Sequence, residues 1–255
     1  QLQEGTQSRD SHVRGITLLE SRVRSCETTS CTPSNEESNP EVIKGQLCRA
    51  CCALAELYLT DLCFEDSAER HCQEAFDKAM HYNLADTYEP FLGLASLRLS
   101  QEMAGEASQL AISAYERLSK ATADSSSVES GQRLAAAKVL LECAPTASPC
   151  ADAALDLLSN LMREDDENAE IWFLMGVGFF QQSPPDTALS RDYLLRGAEL
   201  LEKARESSGG IGFESELQLL SDQLSLLDEY VREHGEDTEE NEVDEGEGSE
   251  DDMEN

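Results

Sequence analysis

Apolar residues recur at intervals of three and four along most of this chain, from Glu41 to about His234. That spacing places them on one face of an α-helix, whereas a half-buried strand would alternate apolar and polar residues, and the chain has no such run. Leu, Ala and Glu dominate the composition, which contains only 7 prolines, as is typical of helical proteins. The sequence therefore predicts an all-α fold.

The interruptions of this periodicity predict nine successive helices. Pro145 and Pro149, the pair Pro184 and Pro185, and the stretch 207–210 mark connections between them. Short connections between helices of similar length make neighbouring helices antiparallel. The predicted helices span 42–60, 65–82, 87–101, 104–120, 129–143, 150–163, 168–182, 186–206 and 213–234.

Several of these helices carry the residue pattern of a tetratricopeptide repeat. Its first helix has a small residue between a bulky residue and an aromatic, and its second helix has small, bulky and small residues at i, i+4 and i+7. The small residues let two helices approach closely, and the bulky ones fill the gap to the next pair. First-helix matches are Trp172, Met175, Gly176 and Phe179; Leu54, Ala55 and Tyr58; and Leu92 and Gly93, while second-helix matches are Cys72, Phe76 and Ala79, and the all-small Ala107, Ala111 and Ala114.

The repeats deviate from the consensus, since extra residues follow Tyr58 and the phase is unclear over 186–206. Leu and Ala at helical spacing also occur in any amphipathic bundle, so a generic bundle remains the alternative. The match at Trp172 and Phe179 favours repeats. We therefore predict a degenerate tetratricopeptide-like superhelix over residues 41–212.

A final helix is predicted at 213–234, with one apolar stripe beside a charged face. Such a stripe is typical of a terminal capping helix, and a homodimeric coiled coil is the alternative. The stripe consists of Phe213, Leu217, Leu220, Leu224, Leu227 and Val231.

Both ends of the chain are polar. The polar composition of residues 1–40 predicts a mostly disordered segment with one weak helix at 15–24. Because the sequence begins with Gln, we expect further N-terminal residues in the natural protein. The composition of residues 235–255 predicts a disordered acidic tail, because so few apolar residues cannot bury enough surface to offset the chain entropy. Ser249 within it is a candidate for phosphorylation by an acid-directed kinase. The acidic residues of the tail are Glu236, Asp237, Glu239, Glu240, Glu242, Asp244, Glu245, Glu247, Glu250, Asp251, Asp252 and Glu254.

The whole chain is strongly acidic, with 52 Asp and Glu against 19 Lys and Arg and a formal net charge of −33. Nucleic acids and anionic membranes are bound through cationic side chains, so the charge argues against direct nucleic-acid binding and against membrane binding. It favours a basic polypeptide as partner and speeds the encounter with one.

The residues that could carry catalysis or bind a metal do not form a recognisable site. Nine cysteines include a CxxCC run at 48–52, but this run lies in a predicted helix, and Cys72 occupies a small-residue packing position. We predict free thiols in a reducing compartment and no bound zinc. The chain has four histidines and no GxSxG, HExxH or phosphate-loop motif. The sequence therefore predicts no catalytic, cofactor-binding or metal-binding residues and no enzyme.

The acidic, degenerate repeats followed by an Asp/Glu tail resemble the dedicated assembly chaperones of large-subunit ribosomal protein four. The resemblance covers about residues 41–255 and depends on architecture and tail. It implies a monomer that captures one newly made, highly basic large-subunit ribosomal protein through its long loop and carries it from the cytoplasm to nuclear pre-ribosomes. No Lys/Arg cluster here resembles a nuclear import signal, so import would depend on the client. A tetratricopeptide adaptor subunit of a stable complex is the alternative function.

The first helices of stacked pairs line the concave face of such a superhelix. Carboxylates and aromatic rings there would suit Lys and Arg side chains, although each aromatic could equally be core. Cys52 and Glu56 replace the cationic residues with which repeat cochaperones clamp a carboxylate, which argues against that class. The predicted partner-binding residues are Glu56, Thr60, Glu170, Phe173, Val177, Phe180 and Gln181.

Overall fold

The computed structural model describes residues 2–28, 39–82, 87–124 and 128–235. Within these ranges the chain forms α-helices and no strand, which confirms the predicted all-α fold. The helices are α1 Leu2–Thr28, α2 Pro40–Leu59, α3 Ala68–His81, α4 Glu89–Ser100, α5 Ala104–Asp124, α6 Ser130–Cys143, α7 Pro149–Glu164, α8 Ala169–Gln181, α9 Thr187–Ser207 and α10 Glu214–His234.

Helices α2 to α10 lie where the periodicity predicts them, and several begin at capping residues. The Asn39 side chain accepts a hydrogen bond from Glu41 N at 3.0 Å, and Asp186 accepts one from Leu189 N at 2.9 Å. Asn168 caps α8 in the same way. Each side chain satisfies a backbone donor that has no partner within its helix.

The N-terminal segment differs from the prediction. A single helix of 27 residues, α1, replaces the expected mostly disordered segment with a short helix at 15–24. Ile16 and Val23 are buried in a cluster with residues of α2, and Lys78 Nζ lies 2.5 Å from Glu20 Oε1. The sequence of α1 alone does not indicate so long a helix, because it is polar and contains few apolar residues. Those few are buried by residues of other helices. Residues 29–38 lie outside the described part.

Four antiparallel pairs, α2–α3, α4–α5, α6–α7 and α8–α9, form the stack. Each first helix packs against the first helix of the next pair, whereas among the second helices only α5 and α7 pack closely on each other. The stack therefore curves with α2, α4, α6 and α8 on its inner side, as in a tetratricopeptide superhelix.

The signature residues pack as the repeat pattern predicts. A Cβ on Gly176 would lie 2.6 Å from Leu194 Cγ and 3.1 Å from Ser190 O, so only glycine permits the observed approach of α8 and α9. Ser190 Oγ donates to Gly176 O at 2.8 Å across the same contact. The ring of Phe179 stacks on Tyr193 with centroids 5.1 Å apart, and Trp172 Nε1 donates to the turn before α8.

The bulky residues fill the gaps between pairs. Phe76 of α3 is fully buried, and its ring lies so close to Gly93 of α4 that a Cβ there would be 2.3 Å from Phe76 Cε1. Gly178 of α8 receives Leu155 of α7 in the same way. The packing positions are therefore occupied by pairs of complementary large and small residues rather than by generic Leu and Ala.

Helix α10 covers the C-terminal end of the stack. It packs on α9 through Leu220 and Leu227, which are buried with Leu194. The preceding connection has positive φ at Gly209, Gly210 and Gly212 and at Phe213, where φ is 67°. The stripe predicted from the sequence thus packs within the chain.

Candidate partner-binding surface

The seven residues predicted to bind a partner lie at two separate places. Glu56 and Thr60 are exposed at the C-terminal end of α2, where Thr60 Oγ1 donates to Glu56 O at 2.9 Å. The other five belong to α8, and the pair α4–α5 and the pair α6–α7 lie between the two groups. The structure therefore does not bring all seven into one contiguous site, and their binding role remains a prediction.

The aromatic residues of α8 are half-buried. Phe173 and Phe180 pack against the cluster formed by Leu194, Leu220 and Leu227. The Phe180 ring makes an edge contact with Tyr230 of α10, with centroids 5.3 Å apart.

Val177 of α8 packs against the core cluster formed by the helices from α4 to α8. Gln181 at the end of the helix has a buried Oε1 that accepts no hydrogen bond from any described residue. Residues on this face of α8 thus contribute to the core and keep part of their surface accessible.

An open cleft of about 700 Å³ lies beside these residues, and we call it the C-terminal cleft. Because α9 runs antiparallel to both α8 and α10, the two helices that flank the cleft run in the same direction. Sequence reasoning missed it because its lining comes from four helices and from the residues just before α8 and α10. Its lining residues are Lys138, Glu167, Asn168, Ala169, Glu170, Phe173, Leu174, Leu200, Leu201, Ala204, Phe213, Glu216, Leu219 and Leu220.

The lining is mostly apolar, and its edges are acidic. Glu167 and Glu170 are exposed on the α8 side, and Glu216 is exposed on the α10 side. The only cation in the lining, Lys138, has Nζ 2.6 Å from Glu170 Oε1. The edge therefore keeps a net negative charge after this ion pair is counted.

Negative charge is distributed unevenly along the chain. The first helices α2, α4, α6 and α8 contain five acidic and five basic residues, so they are neutral rather than acidic. Residues 214–255 contain 18 acidic residues and one basic residue, which is about half of the net charge of −33. The carboxylates of the first helices are therefore balanced by basic residues of the same helices, and the acidity is concentrated from α10 onward.

The predicted acidic tail lies outside the described residues. This applies to all twelve of its carboxylates, from Glu236 to Glu254, and to Ser249. Their role in binding and the disorder predicted for them remain predictions.

The cysteines behave as packing residues. Burial raises the pKa of Cys51 to about 11 and that of Cys72 to about 12, so both thiols are protonated at neutral pH. Cys63 is exposed. In the described ranges, no group of three or more His, Cys, Asp or Glu side chains is placed to hold a metal ion. None of the helices there is both long enough and apolar enough to cross a bilayer.

No protein-family model matches the chain, but comparison with known proteins finds similar ones. A Schizosaccharomyces pombe protein named as a probable assembly chaperone of rpl4 is 28% identical over 174 residues. The match covers 68% of this chain and 47% of that protein, so the chain spans about half the length of this relative.

The second match is a solved structure of the assembly chaperone of RpL4, Acl4. It superposes with a TM-score of 0.58 at 24% identity, covering 77% of this chain and 63% of that one. This likeness supports the helical-repeat fold. Together the two matches confirm the resemblance predicted from the sequence.

Proposed function

We propose that this chain is a non-enzymatic assembly chaperone for a highly basic protein of the large ribosomal subunit, namely ribosomal protein four. It binds one newly made client as a monomer, shields the client's basic loop, and accompanies it from the cytoplasm to nuclear pre-ribosomes. Binding involves neither nucleic acid nor a membrane.

The observation that carries this proposal is the 28% identity to the fission-yeast protein whose name gives rpl4 as its client. The charge of the chain supplies a physical reason for such a client, because a polyanion lowers the electrostatic free energy of a polycation that has not yet met RNA. The curved stack offers a rigid inner side along which an extended segment can lie.

Because the charge is distributed unevenly, two regions of the chain contribute to client binding in different ways. The neutral first helices provide shape and apolar contact, while α10 and the residues after it provide about half of the net negative charge that attracts a basic loop. Attraction of this kind is screened by salt over about 8–10 Å at physiological ionic strength. We therefore expect the complex to weaken steeply as salt rises.

The test is co-purification of the full-length chain from lysate at several salt concentrations, followed by identification of the bound proteins. We expect one basic ribosomal protein in equal amount, lost progressively as NaCl rises. A variant with the twelve carboxylates of 236–254 replaced by Gln or Asn keeps the tail length and removes its charge. It should leave ribosomal protein four less soluble on co-expression.

The adaptor alternative predicts a different outcome. A stable multi-subunit complex that survives high salt and does not respond to loss of the tail carboxylates would contradict the chaperone proposal. Recovery of RNA in place of a basic protein would contradict it as well.

A further inference from the structure

We propose that the C-terminal cleft binds a basic amphipathic segment of the client, with apolar side chains in the cleft and Lys or Arg residues at its acidic edges. This inference depends on the proposed function, since it names the part of the client that the surface between α8 and α10 recognises. It adds an apolar anchor to a capture that would otherwise depend on charge.

Apolar residues are exposed to solvent at the cleft. Leu219 lines it and is 57% exposed, beside the half-buried Phe173 and Leu201. A leucine at the mouth of a concave apolar surface loses contact with water only when a second molecule covers it. The rest of the described chain leaves Leu219 open.

The cleft has the size and the helix arrangement of a peptide-binding groove. At about 700 Å³ the cleft is within the range of about 300–1,000 Å³ that is typical of pockets that bury a ligand, and larger than one side chain requires. Two of its walls, α8 and α10, are helices that run in the same direction. Such a groove accepts side chains spaced three and four residues apart on one face of a helix.

The charge of the cleft edges is complementary to that of a basic segment. Glu167 and Glu170 lie along one edge and Glu216 along the other, and Asp165 and Asp166 precede them in an exposed turn. Lys and Arg can lay their apolar stems on the cleft walls while their charged ends reach these carboxylates. An acidic or neutral segment would lack this second set of contacts.

The two kinds of contact would have different effects on binding. Charge from α10 and the residues after it speeds association and is sensitive to salt, whereas buried apolar anchors slow dissociation and are much less sensitive. The cleft would therefore retain the client once the polyanion has attracted it.

A matched pair of substitutions on α10 tests the proposal. Leu219 and Leu226 are 57% and 54% exposed, but only Leu219 lines the cleft. Leu219→Gln and Leu226→Gln keep helix propensity and charge unchanged, and their thermal unfolding should match that of the unmodified chain. The probes are ribosomal protein four and two labelled 20-residue peptides, one of Lys and Ser and one of Lys with Leu at i, i+3, i+4 and i+7.

Fluorescence anisotropy at low and high NaCl should show tighter binding of the Leu-containing peptide and a part of that binding that persists at high salt. Since burying one leucine side chain corresponds to roughly tenfold or more in affinity, Leu219→Gln should weaken this peptide and the ribosomal protein by about tenfold. Leu226→Gln should bind as the unmodified chain does.

Two results would overturn the proposal in different ways. Equal affinity of the two variants for the ribosomal protein, or equal binding of the two peptides, would contradict an apolar anchor in the cleft. It would remain compatible with charge-dependent capture of the ribosomal protein. Failure of the unmodified chain to bind ribosomal protein four would overturn the proposed function and this inference together.

Discussion

The two ends of the stack are both covered by an additional helix, but the helices are held in different ways. At the N-terminal end, α1 adds Ile16 and Val23 to a large cluster in which Leu47, Leu62 and Phe76 are fully buried. At the C-terminal end, the residues buried beneath α10 are Leu194, Leu220 and Leu227. Because apolar burial contributes most of the stabilisation, we expect the N-terminal end to be the more stable one.

The difference teaches how one fold can separate stability from binding. The N-terminal end has the larger buried cluster, although it also carries exposed apolar side chains such as Leu18 at 66% and Phe64 at 89% exposure. The C-terminal end keeps an open cleft, exposed leucines and the most acidic part of the chain. Elements with few buried contacts open most readily, and partner-binding elements are often drawn from them.

The largest effect should come from removing one buried residue at each end. Phe76→Ala leaves a cavity against Gly93 and should lower the free energy of unfolding by about 3–5 kcal/mol, whereas Leu227→Ala should lower it by about 2–3 kcal/mol because a surface helix can collapse onto the space. Urea unfolding followed by circular dichroism measures both. Equal losses, or a larger loss at Leu227, would break the comparison.

The next effect concerns glycines at the two ends. Gly176→Ala places a Cβ 2.6 Å from Leu194 Cγ and should destabilise the chain by about 1–3 kcal/mol. Gly15→Ala in the middle of α1 meets nothing within 4 Å and should stabilise it by about 0.5–1 kcal/mol. Thermal unfolding of the two variants gives opposite shifts if α1 is a packed helix, and no shift for Gly15→Ala if it is not.

A thiol probe should sharpen the comparison further. Leu227→Cys introduces a buried thiol beneath α10, and Cys72 is a natural buried thiol of the N-terminal cluster. Both must become exposed to react, and we expect alkylation at position 227 to be on the order of tenfold faster or more, equivalent to about 1.4 kcal/mol in the opening free energy. Mass spectrometry after timed addition of N-ethylmaleimide measures the rates, with exposed Cys63 as the fast control.

The smallest effect should come from the ion pairs that attach each terminal helix. Lys78 pairs with Glu20 of α1, and Arg191 pairs with Asp228 of α10. Glu20→Gln and Asp228→Asn should each lower stability by less than about 1 kcal/mol, because the partners are partly exposed and screened by salt. A loss of several kcal/mol at either end, measured by urea unfolding, would show that charge rather than apolar burial holds that helix.

Much of the fold could be predicted from sequence because it depends on local periodicity. The nine helices from α2 to α10 and the packing of Gly176 and Phe76 follow from spacings of three and four and from the repeat pattern. Helix α1 could not, since Ile16 and Val23 are isolated in a polar stretch and become buried only against residues that come later in the chain.

The candidate site was predicted less completely than the fold. Glu170 and Phe173 were identified because they share a face of α8, and both line the C-terminal cleft. Leu219 was not, since it lies beside the apolar stripe of α10, and the pattern gives no sign that a cleft separates the N-terminal halves of α8 and α10. Glu56 and Thr60 occupy the same position in their repeat as the α8 residues do in theirs, but the two repeats lie apart in the stack. The repeat pattern predicts the position within a repeat and does not predict the distance between repeats.

About half of the net charge lies from α10 onward, so the electric field around the molecule would be asymmetric. A polycation that diffuses nearby would experience a torque as well as an attraction, so that the two molecules would be aligned before they touch. The direction of approach would then be set by the C-terminal end, and in concentrated salt collisions would become random in orientation.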